Sequence, residues 1–309
     1  MGLQYKVPKY KKIRVIVDTD AACEADDPFA IAHALLCEKF DIKAIFAEQF
    51  GSPDSTAKSY DEILTILDCM NMEIPVYMGE EGSLADVAGK ELSPAGKFLI
   101  EEALKDEERP LYLLCLGAIT NVVAAMKQCP DIIPRMTVIW IGGQDPENVR
   151  SDFREFNSGN DIEAANYIVS SGVKLWLIPS SVYGSMQIGL AEIQRRIYPC
   201  GRIGKHLFEN MIEYNFSKNA GWTAGESWSL GDSPAVGVAL DPNCGKFIEM
   251  EAPIFEPDTT YRIECGCSSA SEGGCAGQRP KIRVYTSVNV RFILEDMIAK
   301  LELVYGEDK

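Results

Sequence analysis

Apolar segments alternate with helix-patterned segments through the first 180 residues of this 309-residue chain, and that rhythm leaves few folds open. Candidate strands fall at 13–18, 42–47, 75–77, 111–116, 137–141 and 173–178, with helical stretches such as 55–69, 119–127 and 162–170 between them. A strand, a helix and a further strand in series run parallel, because the helix returns the chain to the same end of the sheet. The run at 13–17 is mainly β-branched and apolar, as a central strand covered on both faces is. Beyond Pro179 the pattern changes to helices at 190–198 and 203–214, then an antiparallel section at 246–250, 261–264 and 282–285, and a last helix at 290–303. No internal repeat, low-complexity tract or long linker interrupts it. The expected fold is α/β: a doubly wound, mostly parallel open sheet with a helical and small antiparallel β extension, in one domain over residues 1–309.

Open parallel sheets bind ligands beyond the carboxyl ends of their strands, so function is sought in the turn after each strand. After the first come Asp18-Thr19-Asp20 and then Asp26-Asp27, with Pro28 opening a helix. One Asp suffices as an N-cap, and a helix N-terminus favours one more anion. Four carboxylates plus Glu24 in ten residues repel unless something neutralises them, and an oxygen-liganded cation does so economically. The plainer alternative is a solvated acidic loop carrying one cap. Later strands lead into Gly117-Ala118-Ile119-Thr120-Asn121 and Gly142-Gly143-Gln144, and polar groups recur in Glu155-Phe156-Asn157 and Asp161. Thr120 and Asn121 read first as helix caps, and so does Asp232 in Leu230-Gly231-Asp232-Ser233-Pro234.

A net charge of −16 argues against nucleic acid or an anionic membrane as partner. The start lacks an apolar targeting segment and no 18-residue apolar run occurs later, so the expected location is cytoplasmic. Six of the ten cysteines, Cys23, Cys37, Cys69, Cys115, Cys129 and Cys200, read as reduced packing residues. Cys265, Cys267 and Cys275 lie in a Gly/Ser-rich stretch that reads as a loop, with a thiolate metal site completed by Cys244 as the alternative.

Taken in order, these blocks resemble the inosine–uridine preferring nucleoside hydrolases. Asp18-Thr19-Asp20 with Asp26-Asp27-Pro28-Phe29-Ala30-Ile31 is similar to the family's D-x-D…D-D-x-x-A-I signature, and Gly117–Asn121 to its G-P-L-T-N turn. Ile141-Gly142-Gly143 resembles its M-G-G strand end, and Glu155-Phe156-Asn157 with Asp161–Ala165 its E-F-N…D-P-E-A-A. The resemblance implies Ca²⁺-dependent hydrolysis of the N-ribosidic bond of a nucleoside by metal-bound water, in a homodimer or homotetramer. By position, Asp20, Asp27, Asp232 and the Leu116 carbonyl would hold calcium. Asp26, Glu155 and Asn157 would contact the ribose, and Asp20 would be the general base.

Two departures stand out. Five residues, not the usual three, separate Asp20 from Asp26, so Glu24 can intrude on the site, and Gly231 replaces the family's His before the last metal Asp. His33 reads as a packed helix residue rather than a substitute acid, leaving Tyr183 and Glu226 as candidates for that role. Tyr183, Trp222 and Trp228 are candidate contacts for a flat base. Two other functions compete. A non-catalytic calcium-dependent nucleoside- or ribose-binding protein would explain Gly231. An Asp-nucleophile phosphatase of the haloacid dehalogenase type would explain Asp18-Thr19-Asp20, although Ala22 and Val236 depart from its motifs.

Overall fold

A computed structural model describes residues 2–263 and 279–306 of the chain. The elements in order are β1 (Ile13–Thr19), α1 (Asp27–Leu35), β2 (Phe40–Ala47), α2 (Ser55–Met70), β3 (Val76–Met78), α3 (Pro94–Leu104), β4 (Leu111–Cys115), α4 (Thr120–Gln128) and β5 (Met136–Ile141). Then come α5 (Phe156–Asn160), α6 (Ile162–Ser170), β6 (Lys174–Ile178), α7 (Ser180–Tyr183), β7 (Gln187–Gly189) and α8 (Leu190–Glu192), which runs on into a π-helical turn at Ile193–Ile197. The remainder is α9 (Gly201–Asn215), β8 (Ser227–Ser229), α10 (Ser233–Leu240), β9 (Gly245–Glu251), β10 (Ile254–Phe255), β11 (Tyr261–Arg262), β12 (Lys281–Val288) and α11 (Val290–Tyr305).

Eight strands form one sheet in the order β3-β2-β1-β4-β5-β6-β12-β9, parallel throughout except for the last pair. The doubly wound expectation holds, with one revision. The late antiparallel section is not a separate body: β12 joins the main sheet in parallel beside β6, with Arg283 opposite Trp176, and β9 closes the edge antiparallel to β12. Only β11 stays apart, in a ribbon with β10, and a second ribbon pairs β7 with β8. The proposed Cys265, Cys267 and Cys275 loop lies outside the described residues, as does the end of the strand expected at 261–264.

Two apolar layers cover the sheet. Alternate β1 side chains supply them: Val15 and Val17 pack with α1, α2, α9, α10 and α11, whereas Ile16 packs with α3, α4 and α6. Strand order reverses at β1, which pairs with β2 on one side and β4 on the other. Helices leaving to opposite faces part there, and a crevice opens at the carboxyl ends of β1 and β4.

Candidate active site

That crevice holds a cavity of about 370 Å³ whose lining includes Asp20, Glu24, Asp26, Asp27, Leu116, Glu155, Asn157, Tyr183 and Asp232. Its floor is built from one strand end and two helix starts. β1 delivers Asp18 and Thr19, Asp20 comes directly after it, and α1 begins at Asp27 with Pro28 in its first turn. Asp26 and Asp232 occupy the N-cap positions of α1 and α10, yet neither side chain caps its helix. Both turn instead toward Asp27, so that carboxylate oxygens of Asp26, Asp27 and Asp232 lie within 4.8 Å of one another. The Thr19 hydroxyl donates to Asp27. The capping reading of Asp232 is therefore replaced by a clustered carboxylate.

Charge here is buried and uncompensated. Asp20, Asp27 and Asp232 are each 5% exposed or less, and among the described residues no Lys or Arg forms an ion pair with any of them. Burial first, and the Asp27 charge second, holds the Asp20 carboxyl well above its ordinary 3.8. Burial followed by the Asp26 and Asp27 charges does the same to Asp232. Glu24 is raised to about 7 by burial and then by Asp27, and Asp18 to about 6 by burial against the Glu48 and Asn121 hydrogen bonds. Each shift opposes ionisation, as expected of acids crowded into low dielectric.

Glu48, which the sequence reading did not single out, lies behind that floor, across Gly117 from Asp20 and outside the cavity lining. It comes directly after β2, its N–H donates to the Thr19 carbonyl at 2.8 Å, and it is 1% exposed. A Cβ at Gly117 would fall 2.4 Å from Asp20 Oδ1 and 2.4 Å from Glu48 Oε2, so only glycine lets the β4 turn pass between these acids. No N–H or hydroxyl group among the described residues donates to either Glu48 oxygen or to Asp18 Oδ2, so these oxygens have only a proton shared between the two acids to bond with. The available signal was position alone: a polar residue at the carboxyl end of the strand next to β1. Asn121 is likewise no cap. Its Nδ2 donates to Asp18 at 2.8 Å while its Oδ1 accepts from the Glu80 N–H, and Thr120 donates to Asp161 at 2.8 Å.

The opposite wall is Glu155, Asn157 and Tyr183. Glu155 caps α5, accepting from the N–H groups of Asn157 and Ser158, and it also accepts from the Gly143 N–H at 2.8 Å and the Tyr183 hydroxyl at 3.1 Å. Asn157 Nδ2 donates to the Leu116 carbonyl at 2.6 Å and to Ile141 at 2.9 Å, which leaves its Oδ1 for another group. All seven residues anticipated for the site, Asp20, Asp26, Asp27, Leu116, Glu155, Asn157 and Asp232, line this one cavity.

Residues 15–295 match the family model of the inosine-uridine preferring nucleoside hydrolases. The chain belongs to that family. Its similar relatives include a non-specific ribonucleoside hydrolase, RihC, of Escherichia coli, 22% identical over 95% of this chain and 99% of the relative, and the RihC of Escherichia fergusonii, 26% identical over 91% and 95%. Among solved structures it resembles a plant nucleoside hydrolase (TM-score 0.75, 19% identity, 94% of this chain and 98% of that one). It also resembles a purine-preferring ribonucleoside hydrolase from Gardnerella vaginalis (TM-score 0.71, 20% identity, 94% and 99%). The chain is thus a hydrolase of ribonucleosides, acting on an N-glycosyl bond, and the phosphatase and binding-protein readings are not favoured.

The family is metal-dependent, and the residues present here fit a metal. The donors are clustered carboxylate oxygens, the neighbouring Asp18 and Glu48 carry buried oxygens that receive no donor, and a bound cation would supply the missing counter-charge. Phe153, Arg154 and Phe156 also line the cavity, unforeseen because nothing in their spacing marks a site. Trp222 lines it too and is 63% exposed, whereas Trp228 is buried behind it with the ring centroids 5.1 Å apart. Glu226 is exposed and outside the lining. His33 is fully buried and sits 2.8 Å from Asp296, as a packed helix residue. Among the described residues no helix is long and apolar enough to cross a membrane.

Proposed function

We propose that this chain is a calcium-dependent nucleoside hydrolase that splits a ribonucleoside into ribose and free base. The observation that carries this reading is the convergence of buried Asp27 and Asp232 with half-buried Asp26, none of them in an ion pair among the described residues, opposite a polar wall of Glu155 and Asn157. Asp20, Asp27, Asp232 and the Leu116 carbonyl would hold the cation. A flexible set of carboxylate and carbonyl oxygens suits Ca²⁺ better than the smaller, rigidly octahedral Mg²⁺. When bound, such an ion polarises oxygen ligands and lowers the cost of the surrounding negative charge.

The protein groups do the rest. Asp20 accepts the proton of the attacking water. Asp26 holds a ribose hydroxyl, the free Oδ1 of Asn157 accepts from another, and Glu155 takes a further hydroxyl by exchanging its bond with Tyr183. As the glycosidic bond breaks, positive charge develops on the sugar, and this carboxylate-rich floor stabilises it electrostatically. Phe153, Phe156 and Trp222 at the mouth offer faces for a flat base. The homodimer or homotetramer expectation and a cytoplasmic location rest on the family resemblance and on the sequence.

The test is ribose release from a panel of nucleosides by protein stripped with chelator and then reloaded with Ca²⁺. Release only after reloading supports the reading. Tight riboside binding without release would favour a binding protein. Gly231 adds a sharper arm, because general-acid help is worth roughly 10²–10⁴-fold and glycine offers none. A nitrophenyl riboside, whose leaving group departs without a proton, is expected to be cleaved much faster than inosine. Equal rates with a bell-shaped pH profile would mean that another side chain, such as Tyr183, supplies the acid.

A further inference from the structure

Away from the cavity, the far end of α1 meets α11 in a buried group of titratable side chains that hydrolysis does not use. Cys37, just past α1, and Lys300 of α11 are 3% and 4% exposed, and Lys300 Nζ lies 3.2 Å from Cys37 Sγ. Lys300 also pairs with Asp296, whose Oδ2 lies 2.8 Å from His33 Nε2. The thiol is held from the other side by its own donation to the His33 carbonyl at 3.1 Å. Cys200, the other buried thiol with a hydrogen bond among the described residues, meets only the Arg196 carbonyl. A lysine is rarely fully buried unless paired, and Asp296 already provides that pairing, so the ammonium is free to share its remaining face with sulfur. The Asp296 side chain is 27% exposed and gives the group a route to solvent for protons and small oxidants.

We propose that Cys37 and Lys300 are a modification site, joined under peroxide by a reversible S–O–N cross-link that fastens the end of α1 to α11. Cys37 Sγ takes one oxygen from a first peroxide as its O–O bond breaks, giving the sulfenic acid and water. Lys300, having passed its extra proton through Asp296 to solvent, takes an oxygen from a second peroxide to become a hydroxylamine, releasing a second water. Condensation of the two forms the S–O bond and expels a third water. Sulfur and nitrogen each lose two electrons, and two peroxides gain the four. A thiol reductant returns those four electrons and restores thiol and amine.

The fixed geometry favours this product over deeper sulfur oxidation, since the amine waits within 3.2 Å of the sulfur. The cross-link closes most of the chain into a loop and is expected to raise Tm by several degrees. The test is mass spectrometry of the whole protein and of its peptides before and after hydrogen peroxide, and again after dithiothreitol. The expected product is a peptide pair joining Cys37 to Lys300, heavier by one oxygen and lighter by two hydrogens, together with a Tm rise; dithiothreitol reverses both. Lys300→Arg keeps the charge beside Asp296 but cannot form the bond, and Cys37→Ser removes the sulfur; both should lose the linked pair. Sulfinic or sulfonic acid at Cys37 with Lys300 unmodified would overturn the proposal. So would an unmodified Cys37 at peroxide levels that oxidise the half-buried Cys23 and Cys69.

Discussion

The two ends of β1 handle buried charge in opposite ways. At its start, Arg14 is 3% exposed and paired: Nη1 donates to Glu102 Oε1 and to the Glu102 carbonyl, both at 2.9 Å, and Nε donates to the Arg109 carbonyl at 3.0 Å. Glu102 receives Lys105 as well. At its far end, Asp18, Asp20 and the carboxylates around them have no cationic partner among the described residues, and burial raises their pKa values. One end is closed electrostatically within the fold, while the other is left open for something the chain itself does not supply. Charge left open in this way costs stability, and the cost is tolerated where a ligand cancels it.

The comparison breaks most visibly at Asp27. Asp27→Ala should lower ribose release by about 10³-fold or more, because several kcal/mol of charge stabilisation depend on the cation it holds. It should also abolish the upward Tm shift on adding Ca²⁺, and a mutant that keeps that shift would remove Asp27 from the cation site. At the other end of the strand, Glu102→Ala leaves Arg14 buried without its carboxylate and should cost about 3–5 kcal/mol in urea unfolding. Turnover per folded molecule should be unchanged. Lost turnover with intact stability would mean that the two ends are not separate.

Smaller effects sharpen the contrast through pH. Acids whose folded pKa is raised leave the unfolded chain with fewer protons, so stability is lost as pH rises. For Asp18, raised from 3.8 to about 6, and Glu24, raised from 4.5 to about 7, the loss begins above their ordinary values and is complete above about 7. Metal-free protein should therefore melt several degrees lower at neutral pH than near the ordinary carboxylate range, and Ca²⁺ should flatten the slope. A metal-free Tm that climbs with pH over that window would contradict the assignment of unpaired carboxylates. Smallest of all, Asp232→Asn removes one buried charge and should raise the metal-free Tm slightly, by about 1 kcal/mol of stability, while reducing calcium affinity. Calorimetric titration alongside thermal melts separates the two effects.

Most of the sheet was legible from periodicity, since buried parallel strands are apolar along their own length and helices announce their amphipathic face locally. The acidic turn after β1 was legible for the same reason: repulsion among Asp18, Asp20, Asp26 and Asp27 is a property of near neighbours in sequence. Asp232 was found through the resemblance to a family, because its local setting before Ser233-Pro234 suits an ordinary cap. Glu48, Phe153, Arg154 and Phe156 carried no local sign of a site. The place of β12 beside β6 was hidden as well, because an eight-residue strand records that it is buried but not which strand it pairs with.

By itself, then, the sequence determined that strands alternate with helices, that the sheet is mostly parallel and that a dense acidic turn comes after its first strand. These features arise from short-range chemistry: side-chain period, turn residues and like charges close along the chain. Only the tertiary structure decided that Asp232 meets Asp26 and Asp27 across two helix N-termini, that Asn121 holds Asp18 instead of capping α4, and that Glu48 joins Asp20 on either side of Gly117. Those contacts join residues as far apart in sequence as Asp26 and Asp232. They depend on how the layers close over the sheet, and no local pattern encodes that closure.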